Sequence, residues 1–139
     1  MRLFKRRPKL SVIVNFYNMQ REAERTLYSL STAYQHNIKA TDYEVLAIDN
    51  GSSQPLQAAT VRSFGENFHY HYLQTNSVSP CKALNQAAKL ARGELIICCI
   101  DGARILSPNI LSLSLQAAKL HDHPFIYTMS MHLGSKPDR

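Results

Sequence analysis

The sequence predicts an α/β fold, a mostly parallel sheet with helices on both faces. Three observations lead there. Short apolar segments rich in Val and Ile alternate with longer ones whose apolar residues recur every three or four positions, as strands alternating with amphipathic helices do. The order read along the chain is β-α-β-α-β-α-β-α-β, and connections of this length imply parallel pairing with right-handed crossovers. Three of the apolar segments run into polar residues, at Asn15, Asp49 and Asp101. In open sheets of this class ligands bind outside the carboxyl ends of the strands.

The elements follow in order. Residues 10–14 (LSVIV) are β-branched and mostly apolar, as a buried strand should be. Asn18 is placed to cap the helix that follows, whose stripe is Ala23, Leu27, Leu30 and Tyr34. Residues 43–48 (YEVLAI) form the second strand, ending at Asp49. Ser52 or Ser53 can cap a helix with Pro55 in its first turn. Residues 68–73 (FHYHYL) alternate strictly, with Phe68, Tyr70 and Tyr72 on one face and His69 and His71 on the other, which fits a half-exposed strand at a sheet edge. The two histidines lack a third metal ligand nearby and are expected on a wet face.

Ser79-Pro80 opens the third helix, with Leu84, Ala87, Ala88 and Ala91 as its buried stripe and Gly93 as a left-handed C-cap. Residues 95–100 are apolar throughout, so this strand is expected to be covered on both faces. Ser107-Pro108 repeats the cap signal before Leu111, Leu115 and Ala118, and residues 125–131 are expected to form a fifth strand. Residues 1–9 read as a basic tail and residues 10–139 as one domain.

Charge and cysteines narrow the function classes. The net charge is +6, but five of the sixteen basic residues (Arg2, Lys5, Arg6, Arg7 and Lys9) fall in the first nine positions, which hold no acid, and the remaining eleven face ten acids. The basicity therefore belongs to the tail and gives little reason to expect a nucleic-acid binder. Phe68, Tyr70 and Tyr72 could stack on bases, but the inner face of the sheet claims them first. Contact of the tail with acidic lipid headgroups is the second reading of that charge, beside a solvated leader. No apolar stretch approaches the ~20 residues that span a bilayer, and the N-terminus lacks the apolar region of a secretory signal. Cys81, Cys98 and Cys99 are odd in number and lack metal-ligand spacing, so they are expected to be reduced core thiols of a cytoplasmic protein.

No Gly-rich phosphate loop of the dinucleotide or P-loop type is present, and no nucleophile elbow. Contacts from strand ends remain. Asp49 opens the turn DNGSS, where Gly51 permits a tight bend and Asn50 tolerates unusual backbone angles. Its carboxylate can accept from a nucleobase N–H or a ribose hydroxyl, or it can bond to its own loop. Asp101 follows five apolar residues and must meet water, a partner or a ligand. Gly102 and Ala103 leave room for a bulky ligand at the backbone, while Arg104 offers an ion-pair partner.

LSVIVNFYN at 10–18, YEVLAIDNGSS at 43–53, ALNQAAKLARGELI at 83–96 and CIDGARILSP at 99–108 occur in that order. Together they resemble the nucleotide-binding half of the family 2 glycosyltransferases, with the Rossmann-like GT-A fold. The nearest likeness is to a subgroup with DGAR in place of the acidic D-x-D cluster and a later HLG, here His132-Leu133-Gly134. The resemblance implies transfer of a sugar from a nucleotide diphosphate donor to an acceptor hydroxyl, with inversion. It implies that Asn15, Tyr17, Asp49 and the adjacent Asn50 hold base and ribose, and that Asp101 binds ribose and a divalent cation, Mg²⁺ or Mn²⁺. The second acid of D-x-D falls at Ala103, which weakens a metal site. Lys82 or Arg104 can instead supply fixed positive charge, and His132 a further ligand or phosphate contact. No carboxylate stands out as general base, neither Asp122 nor Asp138. The acceptor half of such an enzyme lies beyond residue 139, so an incomplete enzyme is expected. A non-catalytic nucleotide-binding or scaffold remnant of the same fold is the alternative.

Overall fold

β1 (Leu10–Phe16) is buried along all seven residues and sits inside a four-stranded sheet. The structure, a computed structural model, describes residues 7–131. β1 pairs in parallel with β2 (Tyr43–Asp49) on one side and β4 (Leu95–Cys99) on the other, and β3 (Phe68–Tyr72) pairs in parallel with β2 at the far edge. The order is β3-β2-β1-β4, all parallel. The α/β class and the first four strands thus stand where the sequence places them.

Helices cover both faces. α1 (Gln20–Leu30), α2 (Ala58–Arg62) and α4 (Ile110–Ala117) lie with the larger core, built on Leu10, Val12, Val14, Phe16, Leu27 and Val45. α3 (Cys81–Leu90) sets Ala83 and Ala87 against Ile13, Leu46 and Ile48 on the opposite face. The alternation of strand side chains separates the two cores. A single turn of 3₁₀ helix, Ala118–Leu120, follows α4.

Several expectations need correction. Residues 125–131 form no strand, and Phe125, Tyr127, Met129 and Met131 are largely exposed. β-propensity without a ladder partner does not make a strand. β4 is an edge strand whose side chains alternate between half-buried and exposed, with Ile96 and Cys98 exposed and Ile100 exposed just past its end. It is not covered on both faces. The thiols are free, but Cys81 and Cys98 are exposed and only Cys99 packs on the core, where burial first, then Cys98 and Asp101, push its thiol up to about 11.

Gly93 is not a left-handed cap. It lies where β4 enters the sheet, and a Cβ there would stand 2.5 Å from the Ser11 nitrogen. Only hydrogen fits so close to another backbone. α1 stops at Leu30, before Tyr34, where Ser31 closes the helix with its N–H and hydroxyl both donating to the Tyr28 carbonyl. α3 begins one residue later than expected, with Pro80 as its cap, and Ala88 is exposed where the sequence stripe buries it. The Ser107-Pro108 signal leads into α4 through Asn109, which takes the left-handed conformation.

The start of the chain is docked as far as it is described. Arg7 donates through Nε to the Arg92 carbonyl, Pro8 is buried, and Lys9 pairs with Asp42 at 3.1 Å. Arg2, Lys5 and Arg6 lie outside the described residues, as do His132 and Asp138.

Candidate functional site at the carboxyl edge of the sheet

Parallel pairing brings the carboxyl ends of β1, β2 and β4 to one rim, and side chains and backbone stitch them together. The Asn50 N–H donates to the Phe16 carbonyl at 2.8 Å, tying the end of β2 to the end of β1. Asn15 Nδ2 donates to the Ile100 carbonyl at 3.1 Å, tying β1 to the turn that carries Asp101. Asn50 Nδ2 reaches the carbonyls of Ser77 and Ser79, drawing the segment before α3 to the same rim. The strands β2 and β4 that lead to Asp49 and to the Asp101 turn are two strand spacings apart, roughly 10 Å.

Asp49 faces inward. It is fully buried, and its Oδ1 accepts from the Ser52 N–H at 3.0 Å while Oδ2 accepts from the Leu56 N–H at 2.9 Å and the Tyr70 hydroxyl at 3.3 Å. The loop is wound around its own carboxylate. Residues 50–56 are thereby held out of helical geometry, and α2 starts only at Ala58, not at Ser52 or Ser53. Burial, then the Asp49 charge, pushes the Tyr70 phenol up. Gly51 takes φ +73°, and a Cβ there would stand 2.3 Å from the Thr75 carbonyl oxygen, so this turn admits glycine on two counts.

Asn18 does not cap α1, whose cap position is Met19. It adopts a left-handed φ of 51° and faces the same loop. Its N–H donates to Ser52 Oγ, and its side-chain oxygen accepts from the N–H and hydroxyl of Ser53. Tyr17, just before it, is 39% exposed at the rim. Lys82 is exposed in the first turn of α3.

Asp101 is paired. Oδ1 accepts from the Ala103 N–H at 3.0 Å, and Oδ2 accepts from Arg104 Nε at 3.0 Å and Nη2 at 2.6 Å. Both side chains are part exposed, so the pair contributes little stability, about 0–1 kcal/mol. Its effect is placement. The Arg104 N–H donates to Thr26 Oγ1, which donates to the Gly102 carbonyl, so α1 fixes the turn from below.

Gly102 is buried, and a Cβ on it would sit 2.0 Å from the Phe16 ring. Its smallness is demanded by Phe16, not by an approaching ligand, which corrects the sequence reading. Gly102→Ala is therefore expected to lose about 1–3 kcal/mol in urea unfolding through overpacking. Ala103→Ser, at an exposed position, should leave the unfolding midpoint unmoved.

A hollow of about 860 Å³ lies between α1 and α2 and is lined by Asn18, Arg21, Glu24, Ser53 and Gln57 among others. It includes none of Asn15, Asp49, Asn50, Asp101 or Arg104, so it is not where the chemistry gathers. The sequence reading passed over a second cluster, at the amino end of the sheet. Glu44, almost fully buried, accepts from Ser11 Oγ, the Arg92 N–H and the Arg92 guanidinium, and His69 Nε2 lies 3.9 Å away. Burial opposes its charge, but these hydrogen bonds and the Arg92 charge outweigh burial and hold its carboxyl below the usual range. Polar residues at interior positions of adjacent strands, Ser11 and Glu44, were the signal.

Comparison with known proteins identifies the fold and the family. The sequence model of the family described as Glycosyl transferase family 2 matches residues 11–133. The chain belongs to glycosyl transferase family 2. Poly(ribitol-phosphate) beta-N-acetylglucosaminyltransferase TarS of Staphylococcus aureus is 34% identical over 90 residues, 64% of this chain and 15% of TarS. This family 2 chain thus spans about 15% of the length of that curated relative. The crystal structure of S. aureus TarS 1-349 in complex with UDP superposes with a TM-score of 0.71 at 29% identity, over 82% of this chain and 33% of that one. The UDP-GlcNAc complex gives 0.69 at 29%, over 82% and 32%. The mannosyltransferase PcManGT from Pyrobaculum calidifontis, in complex with GDP-Man and Mn²⁺, shares the fold at a TM-score of 0.56 and 23% identity, over 75% of this chain and 30% of that one.

A divalent cation does not fit the residues this family 2 chain places at its rim. Asp101 is the one acid of the turn, both its oxygens are engaged, and Ala103 carries no ligand atom in its side chain. Among the described residues no group of three His, Cys, Asp or Glu side chains is placed to hold a metal ion. No helix of the described residues is long and apolar enough to cross a membrane.

Proposed function

We propose that this chain is the donor-binding part of a glycosyltransferase. It takes a nucleotide-diphosphate sugar at the carboxyl edge of the sheet, for transfer to an acceptor hydroxyl. The observation that carries the reading is the stitched rim, in which Asn15, Asn50 and the Asp101 turn are hydrogen-bonded into one surface.

The roles follow from exposure and chemistry. Tyr17 offers an exposed ring for the base. Asn15 and Asn50 each keep a buried side-chain oxygen with no donor among the described residues. A ligand N–H or hydroxyl reaching either oxygen removes the cost of leaving it unpaired. Asp49 shapes the loop that carries Asn50, and Asp101, Arg104 and Lys82 supply the polar and charged groups toward the diphosphate. The TarS complexes with UDP and UDP-GlcNAc make uridine nucleotides the first to try.

Calorimetric titration of the 139-residue chain with UDP-, GDP- and dTDP-sugars tests this. One of them is expected to bind, and Tyr17→Ala to weaken that binding at least about tenfold, a loss of about 1.4 kcal/mol, with the melting temperature unchanged. No heat with any of the three retires the reading.

A further inference from the structure

We propose that Arg104 stands in for a divalent cation at this rim. One edge of its guanidinium is held by Asp101, and the other edge binds the donor diphosphate, so that nucleotide binding needs no metal. The inference rests on the donor reading above and deepens it.

A metal ion in such a site has one task on the ground state, to bridge a protein carboxylate and the diphosphate oxygens. A guanidinium can do the same. It is planar and always charged, and it presents parallel N–H pairs on more than one edge that match carboxylate and phosphate oxygens. Here the Nε and Nη2 edge is on Asp101 Oδ2. Nη1 makes no hydrogen bond among the described residues, and the side chain is half exposed. The edge left over is therefore the one a phosphate would meet.

Three features make the arrangement fixed and exclusive. The Arg104 backbone N–H is anchored on Thr26 Oγ1, so the side chain starts from a position held against α1. Asp101 Oδ1 is tied to the Ala103 N–H, which fixes the plane of the carboxylate. A divalent ion on Asp101 would also have to stand beside the guanidinium, like charge against like, with Ala103 unable to supply a second carboxylate. The Asp101 charge offsets part of the Arg104 charge, so recognition here is by directed hydrogen bonds more than by net charge.

The test is calorimetry of the full chain with UDP, GDP and dTDP, once in excess EDTA and once with excess Mn²⁺. The dissociation constant of whichever nucleotide binds is expected to agree within about twofold between the two buffers, under 0.5 kcal/mol. Arg104→Gln is expected to weaken binding about tenfold or more in both buffers. Arg104→Lys, which keeps the charge and loses the fork, should recover only part of that loss. Titrating Mn²⁺ alone into the chain, followed by electron paramagnetic resonance, should leave the signal of the free ion undiminished. Binding that appears only with Mn²⁺, or an Arg104→Gln variant that binds as well as the parent, overturns the metal substitution and leaves the donor reading standing. No heat with any nucleotide in either buffer overturns both.

Discussion

Arg92→Ala is expected to destabilise the fold by about 3–5 kcal/mol, toward the lower figure because the guanidinium is half exposed and water replaces part of it. Glu44 cannot move out to solvent. It sits near the amino end of β2, a strand flanked by β1 and β3, with 1% exposure. Removing the guanidinium leaves the carboxylate with Ser11 Oγ, the backbone N–H of residue 92 and His69 at 3.9 Å, too little to offset burial. The sign of the pH dependence follows. In the parent the Glu44 pKa is lowered from 4.5, so its stabilisation is fully present above that value and is lost as pH falls through the lower folded value. In the variant the folded pKa moves back up, so the carboxylate no longer contributes in that range. The gap between parent and variant should therefore be widest near neutral pH and close as the solution is made acidic. Urea unfolding of both proteins at neutral pH and near pH 3 measures it, where ~3 lies below the ordinary carboxylate range. An equal gap at both values would mean that Arg92 acts through packing alone.

That cluster also marks the limit of what was legible beforehand. Apolar runs of five to seven residues ending at Asn15, Asp49 and Asp101 placed β1, β2 and β4 and their common rim, because burial and alternation are local properties of a strand. The partner of a polar residue inside a strand is not local. Ser11, Glu44 and Arg92 meet only because β1 lies between β2 and β4 and the turn after α3 comes back beside Ser11. The same reasoning explains the errors at β4 and at residues 125–131. An apolar strand is covered or bare according to which element lies next to it, and the spacing of its own residues does not report that. Gly102 shows a subtler case. Smallness beside an acid suggests room for a ligand, yet the residue that needs the room is Phe16, 86 positions earlier in the chain.

Asp49→Ala is expected to cost about 3–5 kcal/mol, because it strands the N–H groups of Ser52 and Leu56 in a buried loop at about 1–3 kcal/mol each and leaves the Tyr70 hydroxyl without its acceptor. Asp49→Asn keeps one acceptor oxygen and turns an amide group toward the other N–H, so it should lose an intermediate amount. Urea unfolding ranks the three proteins. A loss below about 1 kcal/mol in Asp49→Ala would show that the loop does not depend on the carboxylate, since a single net hydrogen bond already contributes that much. The ranking bears directly on donor binding. Asp49 gathers residues 50–56 around itself, beside the bonds Asn50 makes to Phe16, Ser77 and Ser79, so its removal should weaken nucleotide affinity by loosening the loop. Titration of Asp49→Asn, at a temperature where it remains folded, separates the two roles. Affinity that falls in step with the stability loss assigns Asp49 to shaping the loop, and affinity that falls about tenfold further, another 1.4 kcal/mol, places its remaining lone pair on the nucleotide itself.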